Sequence, residues 1–90
     1  MEHLHYEIDA HDQDQVEVSI DRAANVQLLD PTNYELYQQG RSFSYEGGYA
    51  TVSPVRFTVQ RAGRWHVVID LGGGAGRVKA SMRHLSGAVA

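Results

Sequence analysis

Two residues of this chain, His66 and Asp70, could form a catalytic pair. They lie in a run, Trp65 to Leu71, that sets Trp65, Val67 and Ile69 against His66, Val68 and Asp70. Strand alternation puts the second set on one face. A carboxylate that orients an imidazole can serve base catalysis. No serine, cysteine or lysine nucleophile is tied to the pair by spacing. A hydrogen-bonded strand histidine is therefore expected, with no catalytic residues and no enzyme. Immediately after this run comes Gly72-Gly73-Gly74-Ala75-Gly76-Arg77. The loop fails the dinucleotide fingerprint, because Arg77 stands where the third glycine is required, and it lacks the Lys-Ser/Thr ending of a P-loop. Its backbone amides could still hold an anion beside Arg77. Together His66, Asp70, Gly73, Gly74 and Arg77 form the candidate ligand site.

Five histidines raise the question of a metal. His3 and His5, at i and i+2, share a strand face, and His11 with Asp9 or Asp12 could approach them across the next turn. A structural zinc site wants four ligands in fixed geometry, and no zinc-binding helix pattern is present. Asp12 and Asp14 lack the further oxygen ligands of a calcium loop. No metal and no cofactor are expected. A possible interaction surface comprises Tyr49, beside a glycine pair, and the basic residues Lys79 and Arg83. Arg77, Lys79 and Arg83 would share one face of a strand over 77–85. An acidic face of equal length, Glu17-Ser19-Asp21, could pair with it across a sheet.

The chain has 90 residues, no cysteine, two prolines, nine glycines and 42% apolar residues. That suffices for one small domain over 1–90, with a core in 3–85 and a tail from Ser86 to Ala90 expected to fray. The absence of cysteine removes disulfide scaffolds, thiolate metal sites and thiol nucleophiles. No apolar run approaches the ~20 residues of a membrane helix, and the first residues do not read as a secretory signal. A cytoplasmic location without membrane association is the expectation. Eleven acids and eight bases give a net charge of −3, which opposes general nucleic-acid binding. That net value hides an asymmetry: residues 1–45 hold nine acids and two bases (−7), and residues 46–90 hold two acids and six bases (+4).

The elements that must position these residues are mostly strands, because the apolar period is two. Leu4, Tyr6 and Ile8 alternate with histidines and Glu7. Segments 15–21 and 25–30 read as a hairpin, although the connection lacks a tight-turn dipeptide. One short helix near 32–39 is expected, with Asp30 capping ahead of Pro31 or Thr32 forming a capping box with Glu35, and Gly40 as the stop. Tyr34, Leu36 or Tyr37 would hold it against the sheet. Residues 42–53 read as a hairpin turning at Gly47-Gly48, with Tyr45 opposite Ala50 and Phe43 opposite Val52. Strands from Ser53-Pro54 and over Arg64–Leu71 follow. Val68, apolar on the second face, marks the latter as a strand near the centre of a sheet. About seven strands with one short connecting helix make an all-β antiparallel β-sandwich, jelly-roll-like in character.

Several stretches resemble a small bacterial family, the domain of unknown function numbered eighteen eighty-three. They are Ala24 to Asp30, Asn33-Tyr34, Tyr37 to Arg41, Gly47-Gly48, Ser53-Pro54-Val55 and Trp65 to Gly73. The resemblance covers roughly residues 3–85. It implies a sandwich-like all-β fold, and occurrence both alone and beside Toll/interleukin-receptor-type domains. It implies no catalytic residues. More loosely, the order of elements is similar to jelly-roll-like adhesion and trafficking modules. The reading that follows is a non-enzymatic recognition or protein-interaction module, or alternatively a sensor of a small anionic ligand. Homo-oligomerisation through open edge strands is compatible with either.

Overall fold

The computed structural model describes residues 3–87. Seven strands and one helix follow in the order β1 (Leu4–Ala10), β2 (Gln15–Ile20), β3 (Ala24–Leu29), α1 (Pro31–Gln38), β4 (Glu46–Ala50), β5 (Val55–Thr58), β6 (Gly63–Asp70) and β7 (Ala80–Leu85). They form two antiparallel sheets, ordered β1-β6-β3-β4 and β5-β2-β7. The alternating apolar residues of both sheets face inward. Ile8, Val26, Leu28, Trp65, Val67 and Ile69 from the larger sheet meet Val16, Val18 and Phe57 from the smaller one. This is the expected β-sandwich. As Val68 foretold, β6 is internal, flanked by β1 and β3.

Two expected hairpins do not form. β2 and β3 lie in different sheets, so Asp21 to Ala23 is a corner between layers rather than a turn within one. The same apolar residues are buried either way, but here Val16 and Val18 face Val26 and Leu28 across the core. Only the β3–α1–β4 connection returns to its own sheet; all others cross. The second misreading is residues 42–53. Gly47 and Gly48 are not a turn; they sit inside β4 and pair with Gln27 and Val26. Both have positive φ, 103° and 148°. A Cβ on Gly47 would run into the Val26 carbonyl oxygen and come 2.9 Å from the Phe57 ring. Gly47 therefore allows close backbone approach rather than chain reversal, whereas a Cβ on Gly48 would meet nothing within 4 Å. Tyr45 and Val52 are left exposed, and Phe43 packs on Tyr37 instead, with ring centroids 5.2 Å apart.

Asp30 caps α1 by accepting from the Asn33 amide at 2.8 Å, with Pro31 in the first turn. The alternative start at Thr32 is not used. At the other end Gly40 has φ +71°. Its amide bonds to the Tyr37 carbonyl and that of Arg41 to the Leu36 carbonyl, the two bonds of a Schellman stop. No residue of α1 is buried, so side-chain bonds to the sheet must hold it.

The acidic and basic faces pair internally only in part: Arg83 meets Glu17, while no carboxylate pairs with Arg77 among the described residues. Glu17 lies between Arg56 and Arg83 in register, with contacts of 3.0 and 3.6 Å. Asp21 accepts from the Lys79 amide at 2.8 Å. Lys79 and Arg77 precede β7 rather than belonging to it.

Asp14, considered above only for calcium, ties the corner between β1 and β2. It is buried and accepts from the amides of His11 at 2.9 Å and Gly87 at 2.8 Å, and it bonds His84 Nε2 at 2.8 Å. The chain at Gly87 is thus anchored, contrary to the expected fraying from Ser86; residues 88–90 lie outside the described residues. The Gly87 and His11 amides, then His84, hold the Asp14 carboxyl well below its ordinary pKa. A depressed carboxyl stabilises the fold above its unfolded pKa of about 4, and that contribution is lost as pH falls further. Asp14→Asn is expected to lower the melting temperature at pH 7, read by circular dichroism. The gap to the parent protein should narrow as pH drops below about 4, because the unfolded parent takes up a proton on Asp14 there while the folded parent does not.

Candidate functional site

The outer face of the larger sheet carries polar residues that a buried sheet face does not usually hold. From β1 come His3, ahead of the strand, then His5 and Glu7; from β6 come His66 and Asp70; from β3 comes Asn25. Glu7 is directly opposite His66, and Asn25 directly opposite Asp70. His66 and Asp70 are 7% and 4% exposed. A buried polar group costs stability unless it is hydrogen-bonded; Asp70 is bonded by Tyr37 of α1, and His66 by His5 of β1 under the ring of Tyr34.

Tyr37 donates to Asp70 Oδ2 at 2.7 Å. Asn25 donates to Oδ1 at 2.9 Å and the Gly72 amide to the same oxygen at 2.8 Å. Burial pushes the Asp70 carboxyl up, but these three donors outweigh it and hold the pKa below the ordinary value. Burial, together with the bond to Asp70, in turn raises the Tyr37 hydroxyl far above its usual range.

Tyr34 covers the second group. Its ring stacks on His5 at 4.2 Å and on His66 at 4.4 Å, with interplanar angles of 15° and 9°. Beneath it, His5 Nε2 lies 2.7 Å from His66 Nδ1. At that distance one nitrogen carries the shared proton and the other accepts it. Burial lowers both imidazole pKa values, and for His5 the neighbouring His66 adds to the effect. The donor atoms of His5, Glu7 and His66 all lie within 4.8 Å of one another. Arg64 bonds Glu7 Oε1 at 2.8 Å.

The candidate ligand site separates into two places. Asp70, Gly73, Gly74 and Arg77 line one open cleft of about 630 Å³ between the start of β1 and the loop after β6. Leu4, Ile69, Leu71 and Val78 supply its apolar walls. His66 does not line it. Although on the same strand face as Asp70, it is turned to His5 and roofed by Tyr34. The glycine loop uses the Gly72 amide on Asp70 and the Gly74 amide on the Leu71 carbonyl. Sequence reading missed Arg22, whose Nη1 reaches the Arg77 carbonyl at 3.4 Å. Its guanidinium lies where a Cβ on Gly76 would be.

The candidate interaction residues also separate. Tyr49 is 71% exposed on β4, at the edge where β4 meets β5. Arg83 on β7, with Lys79 just before it, lies at the opposite edge, where β7 meets β1. Metal candidates regroup as well. His3 bonds the Tyr34 hydroxyl at 3.3 Å, and His5 meets His66, not His11. Strand parity could have found part of this, because it already placed His5, Glu7, His66 and Asp70 on polar faces. The pairing of β1 with β6, sixty residues away, had no sequence signal.

These features define a small antiparallel β-sandwich in which a short helix lids the polar outer face of one sheet. The chain belongs to the family DUF1883, a domain of unknown function, whose model matches residues 1–87. No curated protein and no solved structure matches it. Among the described residues, no helix is long and apolar enough to cross a membrane.

Replacing Tyr37 by Phe removes a hydrogen bond to a buried carboxylate. The expected cost is about 1–3 kcal/mol, measured by urea denaturation, with an upward shift of the Asp70 pKa seen by NMR titration.

Proposed function

We propose that this domain is a non-enzymatic recognition module, cytoplasmic in setting, whose cleft takes a small ligand with an anionic group and an apolar body. One observation carries this reading. Arg77 lines the cleft and, among the described residues, no carboxylate pairs with it, whereas the cleft's own carboxylate, Asp70, already has three donors. Arg22 adds a second guanidinium against Gly76 and Arg77. A guanidinium with its donors free of any carboxylate, beside apolar walls, favours a carboxylate or phosphate ester. Against catalysis stands the separation of His66 from Asp70, each held by other partners. A protein partner is the second reading, favoured by the exposure of Tyr45, Tyr49 and Val52 around edge strand β4. The same edge could support homo-oligomers.

Thermal-shift screening against nucleotides, sugar phosphates and hydrophobic carboxylates tests the first reading. A hit should raise the melting temperature of the parent protein, and Arg77→Ala should abolish the shift. A shift that survives both Arg77→Ala and Arg22→Ala would move the ligand out of this cleft. Absence of any hit, with a specific pull-down partner lost in Tyr49→Ala, would favour the second reading.

A further inference from the structure

We propose that His5, Glu7 and His66 form a binding site for a zinc-like first-row divalent metal ion. The site is distinct from the cleft and does not depend on the reading above.

Backbone pairing builds it. Glu7 and His66 are directly opposed on neighbouring strands, and His5, two residues before Glu7, shares its face. Three donors thus converge from two rigid strands without any loop being required. Two imidazoles and one carboxylate suit zinc, cobalt, nickel or iron in the divalent state. The distances are close to what an ion needs. With metal–nitrogen bonds of about 2.0–2.1 Å, two ligand nitrogens stand about 2.9 Å apart at a right angle and about 3.3 Å apart in a tetrahedron. His5 Nε2 and His66 Nδ1 are 2.7 Å apart and already face each other. An ion would replace the shared proton and open that gap by a few tenths of an ångström.

The surroundings favour it too. Tyr34 lies flat on both rings and keeps their planes nearly parallel, at 17° to one another. Arg64 holds Glu7 by Oε1, and a carboxylate has a second oxygen to give. That leaves Arg64 as the outer partner that orients a ligating carboxylate. Burial differs across the set: His66 is buried, while His5 and Glu7 are exposed on an edge strand. An ion can therefore enter from the solvent side and keep a position open for water or another ligand, as three-ligand sites do.

The test uses the full chain without a histidine tag. Zinc titration by calorimetry should show one ion per chain, and the melting temperature should rise with zinc concentration. Cobalt should give a visible absorption band. In NMR spectra of the parent protein, zinc should shift the ring nitrogens of His5 and His66 and leave those of His11 and His84 in place. His5→Ala and Glu7→Gln, both at exposed positions, should each weaken zinc binding by about tenfold or more. His11→Ala should leave it unchanged. His66→Gln removes the third donor with a side chain of similar polarity, and the spectra of the parent protein keep the question decidable if that variant does not fold. The proposal is overturned if micromolar zinc does not bind, if His5→Ala binds as tightly as the parent, or if the shifted signals belong to His11 or His84.

Discussion

The structure depends on one constraint: β6 is buried on both faces. Its inner residues, Trp65, Val67 and Ile69, join the core between the sheets. Its outer residues, His66, Val68 and Asp70, are also buried, and two of them are polar. Such groups are tolerated inside a protein only when their hydrogen-bonding capacity is met. His5 of β1 meets it at His66, and Tyr37, Asn25 and the Gly72 amide meet it at Asp70; helix α1 covers both groups. It has no buried residue of its own and is too short to be stable alone. What holds it is Tyr34 over the two histidines and Tyr37 on Asp70. Helix and strand thus complete each other: the strand's buried polar groups need the tyrosines, and the helix needs the strand's polar groups.

Charge works at a different level. Among the described residues, each of the five arginine–carboxylate contacts joins an acid from residues 1–45 to an arginine from residues 46–90. Arg64 reaches Glu7 and Asp9, Arg56 and Arg83 reach Glu17, and Arg61 reaches Asp30. Solvent-screened pairs of this kind contribute little to stability. They are too weak to hold the fold, which rests on apolar burial. They are well placed to specify it, because a one-residue slip of any strand would separate the charges and turn every apolar side chain outward. The −7 and +4 halves are therefore a register device, and net charge says little about this surface. Arg22, Arg41, Arg77 and Lys79 have no such contact among the described residues, and of these Arg77 lines the cleft.

Much of this was legible in sequence, and the reasons differ by element. Period-two alternation located every strand except β4, since each of the others has one face in a common core. The Asp30-Pro31 start and the Gly40 stop located the helix because capping is a local matter. The glycine pair at 47–48 misled. Turn chemistry and close backbone approach both call for glycine, and only the Val26 carbonyl and the Phe57 ring decide between them. The missing hairpin between β2 and β3 has the same origin. A corner between sheets and a turn within one bury the same alternating residues, so the pattern cannot distinguish them.

By itself, the sequence determined most of the inward-facing residues, the approximate place of the helix and of every strand but β4, and which residues carry opposite charge, because these follow from side-chain type and short-range geometry. It also determined that His66 and Asp70 share a face. Only the tertiary structure decided their neighbours. It separated that pair into a tyrosine-roofed histidine site and a cleft-lining carboxylate, brought His5 and Glu7 from residues sixty positions away, and set Arg22 against the glycine loop. Strand order is a property of the whole chain, since pairing across long separations is chosen by total burial and polar satisfaction, and no local pattern encodes it.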